Sequence, residues 1–104
     1  MMCEKEGRLT TIRELRWRDD RVEHIARHEV VPEEVEEAVF EDRGALLENA
    51  GPAKRDPARR VYVLLGRTGA GRYLMVVLIH EDGGVAMPIT ARDMSQAERR
   101  RYSR

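Results

Sequence analysis

Of the side chains in this sequence that could take part in chemistry, arginines dominate. Arg67, Arg92 and Arg99 stand with His28, His80 and Tyr102 as groups able to hold an anion or move a proton. A guanidinium presents a planar fork of donors that matches phosphate oxygens, and it stays charged at any working pH. It also stabilises the negative charge that builds on phosphoryl oxygens during a displacement. Cutting RNA without a metal needs a group to take the 2′-hydroxyl proton, cations around the phosphate and a donor for the leaving oxygen. These residue types could fill those roles. The bland reading of the same residues is a solvated face, or an anchor for an acidic partner.

Other chemistries find less support. His24 and His28 are four apart on one expected helix, the spacing a zinc helix uses. However, Glu23 is not placed as in His-Glu-x-x-His and no third ligand is evident. Gly66-Arg-Thr-Gly-Ala-Gly71 echoes a phosphate-cradling loop, but it joins two expected strands rather than a strand and a helix, so a plain hairpin is expected. Cys3 stands alone, which excludes a disulfide framework within the chain and a cysteine-based metal site, and no triad can be argued around it. No metal and no cofactor are expected.

Length and charge set the class. A chain of 104 residues makes one domain, taken here as 1–104, with a modest core. Charged residues are 37% and aromatics 5%, so a very polar surface surrounds a small aliphatic core. The net charge of zero hides a split: residues 1–53 hold 8 Lys/Arg against 14 Asp/Glu, and residues 54–104 hold 11 against 5. The basic half could face a polyanion. Overall neutrality argues against a strong non-specific nucleic-acid binder. The start lacks the apolar run of a signal peptide, and no segment reaches the length of a membrane span, so a reduced, cytoplasmic setting is expected and no membrane partner.

The elements that must position these groups are legible in outline. Residues 1–9 are predicted to be a loose terminus. Thr10 to Trp17 alternates and predicts a short strand. Asp20 and Glu23 read as a capping box opening a helix over about 20–28, with Val22, Ile25 and Ala26 on one face. Pro32 suits the first turn of a second helix, over about 32–41, with Val31, Val35, Ala38 and Val39 as its buried stripe and Phe40 closing it. Its glutamates at 33, 34, 36, 37 and 41 are expected mostly on the wet face. Ala45-Leu-Leu47 could be a strand or a turn, and 49–58 reads as the longest loop. Then come three strands, Arg60–Leu65, Tyr73–Ile79 and Val85–Ala91, joined by the turns Arg67–Arg72 and Glu81–Gly84. The apolar run of the middle strand predicts burial on both faces. Pro88 makes the third strand an edge or bulges it. Ser95 and Glu98 form a capping box for a last, basic helix. The fold class is α+β, with two N-terminal helices and a short C-terminal helix packed on an antiparallel meander.

The order of motifs carries a resemblance. Trp17-Arg-Asp-Asp-Arg21, His24-Ile-Ala-Arg-His28 and Val31-Pro-Glu-Glu-Val-Glu-Glu-Ala-Val-Phe40 resemble the opening of the BrnT family, toxins of bacterial type II toxin–antitoxin pairs within the RelE-like group. Arg60-Val-Tyr-Val-Leu-Leu-Gly-Arg67, Gly71-Arg72, Leu74-Met-Val-Val-Leu78, Ile89-Thr-Ala-Arg92 and Glu98-Arg99-x-x-Tyr102 are similar to its second half. The likeness covers about residues 15–102. It implies a RelE-like fold, a metal-independent endoribonuclease acting on mRNA in the cytoplasm, and a BrnA-like antitoxin as neutralising partner. Operator DNA would be met only indirectly, through the antitoxin. It also implies that Arg67, Arg92 and Arg99 touch phosphate and that His28 and Tyr102 transfer protons or order the site. Arg60, Arg72, Arg21 and Arg27 lie in the same motifs and complete the expected RNA contacts. His80, at a strand end, is added from its position alone.

Three departures from the family pattern carry expectations. Met87 and Pro88 stand where a basic residue is usual, so one phosphate contact is missing and the strand is bulged. Glu29 replaces a glycine, so the corner after the first helix is shaped differently. His24 replaces a common asparagine. The alternative function is therefore a catalytically inactive module of the same fold that holds an antitoxin or a transcriptional regulator. A stand-alone helix-turn-helix is opposed by the five glutamates of the second helix, which would meet phosphate repulsively.

Overall fold

A computed structural model of the chain describes residues 12–103. The elements are β1 (Glu14–Leu15), α1 (Asp19–Ala26), α2 (Pro32–Phe40), β2 (Leu46–Pro52), β3 (Arg60–Arg67), β4 (Tyr73–His80), a 3-10 turn (Asp82–Gly84), β5 (Val85–Asp93) and α3 (Gln96–Tyr102). The chain is α+β. Its five-stranded sheet runs β1-β5-β4-β3-β2, antiparallel throughout except where β1 joins β5 in parallel. The expected terminus at 1–9, Cys3, and Thr10 and Thr11 of the expected first strand lie outside the described residues.

Alternation along the strands sorts the core into two layers. On one face, Leu64, Leu74, Val76 and Leu78 are fully buried beneath Ile25 of α1 and Val35 and Ala38 of α2. Each leucine, isoleucine or valine among them contributes about 1.5–3 kcal/mol through burial. On the other face, Leu65 and Met75 pack with Met94, with Tyr73 and Tyr102 against them. Among the described residues this second face is covered only at α3, and Val77 and Ile79 of β4 are half-buried. Two apolar residues at the ends of α2 also escape burial: the N-cap Val31 is 48% and Phe40 43% exposed, while Val30 before it is buried at 1%.

Close approach and local hydrogen bonds explain several boundaries. Helix α2 rests directly on β3 at Gly66, where a Cβ would stand 2.8 Å from the Ala38 carbonyl oxygen. Pro88 sits in a bulge rather than at an edge: Val77 pairs with Thr90 but Leu78 pairs with Pro88, and Pro88 is fully buried. Pro52 ends β2 after a second irregularity, and the strand takes in part of the expected loop. Helix α1 starts one residue earlier than expected, with Arg18 rather than an aspartate at its N-cap and no side-chain cap bond. The Ser95 box is present as expected, the hydroxyl accepting from Glu98 N at 3.1 Å and the Glu98 carboxylate accepting from Ser95 N at 2.8 Å.

The glutamates of α2 do more than face water. Glu34 accepts from Val31 N and from Arg72, Glu36 accepts from Trp17 Nε1 at 3.1 Å, and Glu37 accepts from Gly69 N at 2.9 Å. They fasten α2 to the chain before α1 and to the hairpin between β3 and β4. The corner between α1 and α2 keeps a glycine-like backbone without glycine: Glu29 sits at φ 61°. Left-handed backbone costs a non-glycine residue roughly 1 kcal/mol. Glu29→Gly is therefore expected to raise stability by up to about 1 kcal/mol in urea unfolding. No gain, or a loss, would mean that the Glu29 side chain repays that strain.

Candidate functional site

The end of the sheet where β3 stops and β4 starts gathers cations on an aromatic ring. Arg67 closes β3 and pairs with Tyr73, the first residue of β4. Alternation puts Leu65, Arg67, Tyr73 and Met75 on the face that carries α3. The Ser95 cap fixes where α3 begins, and its Arg99 reaches back over the same ring. The Arg99 guanidinium carbon lies 4.1 Å from the Tyr73 ring centroid and that of Arg67 4.8 Å, both within cation–π range. Tyr102 meets Tyr73 edge to face, with centroids 5.7 Å apart. Among the described residues, neither Arg67 nor Arg99 has a carboxylate within ion-pair distance. A π-face orients a guanidinium without neutralising it, so two full charges stay available to an anion.

Asp42, just beyond α2, ties this end together. One carboxylate oxygen accepts from Arg67 N at 2.8 Å and from the Tyr102 hydroxyl at 2.7 Å, and the other accepts from Gly44 N at 2.9 Å. A recess of about 360 Å³ opens beside it, lined by Glu41, Asp42, Arg67, Thr68, Gly69 and Tyr102. Burial, then the hydrogen bond to the Asp42 carboxylate and its charge, push the Tyr102 phenol up to about 12 from an ordinary 10.0. At neutral pH Tyr102 is thus a protonated donor aimed at Asp42.

The folded chain holds that proton more tightly than the unfolded chain does. The stability it gives is complete below about pH 10 and fades as pH rises towards about 12, where phenolate would face carboxylate. Tyrosine absorbance is expected to show a late ionisation step for Tyr102, and Asp42→Asn to move that step down. The absence of any late step would show that the Tyr102–Asp42 contact does not persist.

No known protein family's model matches this chain, and no curated protein matches it.

The remaining candidates are distributed as follows. Arg92 lies close by but is engaged: its fork holds Glu98 with two contacts of 2.9 Å and also donates to the Asp93 carbonyl. Hydrogen bonds from Arg92 hold the Glu98 carboxyl below the usual carboxylate range, against the opposing effect of burial. Arg72 turns to the helix side, where it bonds Asp93 at 2.7 Å, Glu34 at 3.0 Å and the carbonyls of Glu29 and His28. His28 is exposed at the end of α1, its ring edge to face with that of His24, whose Nε2 lies 3.0 Å from Thr90 Oγ1.

His80 and Arg60 pair with each other at the opposite end of the sheet, roughly 24 Å from Tyr73 at the usual rise of a strand. The His80 ring packs edge to face on Tyr62, and its Nε2 is buried without a partner among the described residues. Arg21 lies at the start of α1 and reaches the Ile89 carbonyl at 3.5 Å, while Arg27 is exposed at the helix end. The structure therefore brings together Arg67, Arg99 and Tyr102, with Arg92 adjacent. It does not bring His28, His80, Arg60, Arg72, Arg21 or Arg27 to them.

Tyr73, Asp42 and Glu41 were not anticipated. Tyr73 had a signal, since it follows Gly71-Arg72 and pairs across the hairpin from Arg67. Glu41 and Asp42 had none, because Glu41 belongs to, and Asp42 follows, a run of glutamates that reads as surface.

Proposed function

We propose that this chain is an RNA-cleaving toxin of the BrnT type, a metal-independent endoribonuclease restrained by a cognate antitoxin. The observation that supports this best is the convergence of the Arg67 and Arg99 guanidiniums on Tyr73, neither with a carboxylate within ion-pair distance among the described residues. Two oriented, unneutralised guanidiniums suit the non-bridging oxygens of one phosphodiester and the charge that grows on them during attack. Both oxygens of Asp42 already accept hydrogen bonds, and the Tyr102 proton is committed to Asp42. Glu41, lining the same recess, is then the carboxylate suited to take the 2′-hydroxyl proton, and the departing 5′-oxygen takes its proton from solvent water as the P–O5′ bond breaks. Tyr102 acts as a positioning residue that keeps α3, and so Arg99, in place.

The test is induced expression in a bacterial host, together with incubation of the pure protein with single-stranded RNA in excess chelator. Growth arrest and cleavage products ending in 2′,3′-cyclic phosphate are expected. Healthy growth and intact RNA would overturn the nuclease reading. A second reading, a non-catalytic module that holds an antitoxin or a regulator, draws support from the Arg92–Glu98 pair and from the distance of His80 from the cluster. It is favoured if the protein binds RNA or its neighbour-encoded partner but leaves RNA uncut.

A further inference from the structure

Among the described residues, the sheet face that carries α3 is covered over only part of its length. Beyond α3, Val61, Val77, Ile79, Met87 and Ile89 make a half-buried aliphatic floor across β3, β4 and β5. The groove above them has a volume of about 610 Å³. Its rim carries Arg18, Arg21, Lys54, Arg55 and Arg59 against one carboxylate, Asp56. Arg18 and Arg59 are paired with Asp20 and Asp56, whereas Arg21, Lys54 and Arg55 have no carboxylate within ion-pair distance among the described residues.

We infer that this groove receives an acidic amphipathic helix from a partner protein, laid across the sheet beside α3. Three strands span roughly 10–14 Å, the width of one helix. Helix α3 already packs on the adjoining stretch of the same face, so a second helix extends an existing layer. A floor of two valines, two isoleucines and a methionine calls for leucine-type knobs, and the rim calls for glutamate or aspartate on the flanks. Single-stranded RNA fits less well, because no tyrosine or tryptophan lines the groove for a base to stack on. A second copy of this chain fits less well too. Its acidic helix α2 has Val35 and Ala38 buried in its own core and, with its N-cap, offers as exposed large apolar residues Val31 and Phe40, nine residues apart. This inference goes beyond the nuclease reading and does not depend on it.

The probe is a 16-residue synthetic helix, at a length of about 24 Å, with leucine along one face and glutamate on the flanks. A second peptide with lysine in place of glutamate is the control. Fluorescence anisotropy is expected to show the glutamate peptide binding at least tenfold more tightly than the control, with affinity falling as salt rises. Lys54→Glu with Arg55→Glu, both exposed, is expected to weaken it at least tenfold, and Ile79→Glu likewise. Equal binding of the two peptides, no binding, or an unchanged affinity in the Lys54/Arg55 variant would overturn the inference. So would displacement of the peptide by single-stranded RNA, or concentration-dependent self-association that the peptide competes away.

Discussion

Replacing Arg67 and Arg99 together with alanine is expected to abolish RNA capture and any growth arrest while leaving the fold intact. Both side chains are exposed, and their contacts within the chain are to the Tyr73 ring, so little stability rides on them. A charge-assisted hydrogen bond contributes about 1.5–3 kcal/mol, roughly tenfold to a hundredfold in affinity for each arginine. Partial solvent exposure puts the single variants at the low end, and shared grip on one phosphate makes the pair non-additive. Anisotropy with a labelled single-stranded RNA at fixed salt checks this. Arg→Lys at either position is expected to recover only part of the loss, because an ammonium lacks the planar fork that stacks and bonds at once. Tyr73→Leu should weaken binding less than either alanine, since it removes orientation and leaves charge. Arg60→Ala, at the far end of the sheet, should change little. A loss at Arg60 equal to that at Arg67 would move the site away from Tyr73.

Arg72 is expected to behave in the opposite way. Arg72→Ala should destabilise the chain by about 2–3 kcal/mol and leave the RNA affinity of the folded fraction unchanged. Its fork joins three parts of the fold: Asp93 at the end of β5, Glu34 on α2, and the carbonyls of Glu29 and His28 at the α1–α2 corner. Those carbonyls sit beside the left-handed Glu29, so losing their donor loosens a strained turn. Its side chain is 24% exposed, which tempers each ion pair but not their convergence. In a domain of this size, such a loss lowers the melting temperature by roughly 10–20 °C. Arg72→Lys should rescue little, because one ammonium cannot span the four acceptors. A near wild-type melting curve for Arg72→Ala would show that the corner is held by packing alone.

The meander was readable because its signals are local. An unbroken aliphatic run, glycine-bearing turns and a Ser95–Glu98 box each act within a few residues. Over its described residues strand β1 is shorter than expected, with two residues paired, and parallel pairing with β5 leaves no periodic trace. Strand β2 was underestimated because Gly51 and Pro52 mask a strand that continues through them. Among the arginines, sequence gives the charge and not the partner. Arg92, Arg72 and Arg99 look alike in a string of residues. Only the fold puts Glu98 under the first, two carbonyls under the second and an aromatic ring under the third. The substitution of Glu29 suggested a reshaped corner, yet the backbone there keeps the left-handed turn a glycine would make.

The most direct measurement is a titration with a short single-stranded RNA, 2′-O-methylated so that it cannot be cut, followed through arginine side-chain and tyrosine ring resonances. The Nε–H signals of Arg67 and Arg99 and the ring of Tyr73 are expected to shift together and saturate at one stoichiometry, while Arg60, Arg72 and His80 stay still. Shifts confined to Arg60 and His80, or none at Arg67 and Arg99, would contradict a phosphate receptor built on Tyr73.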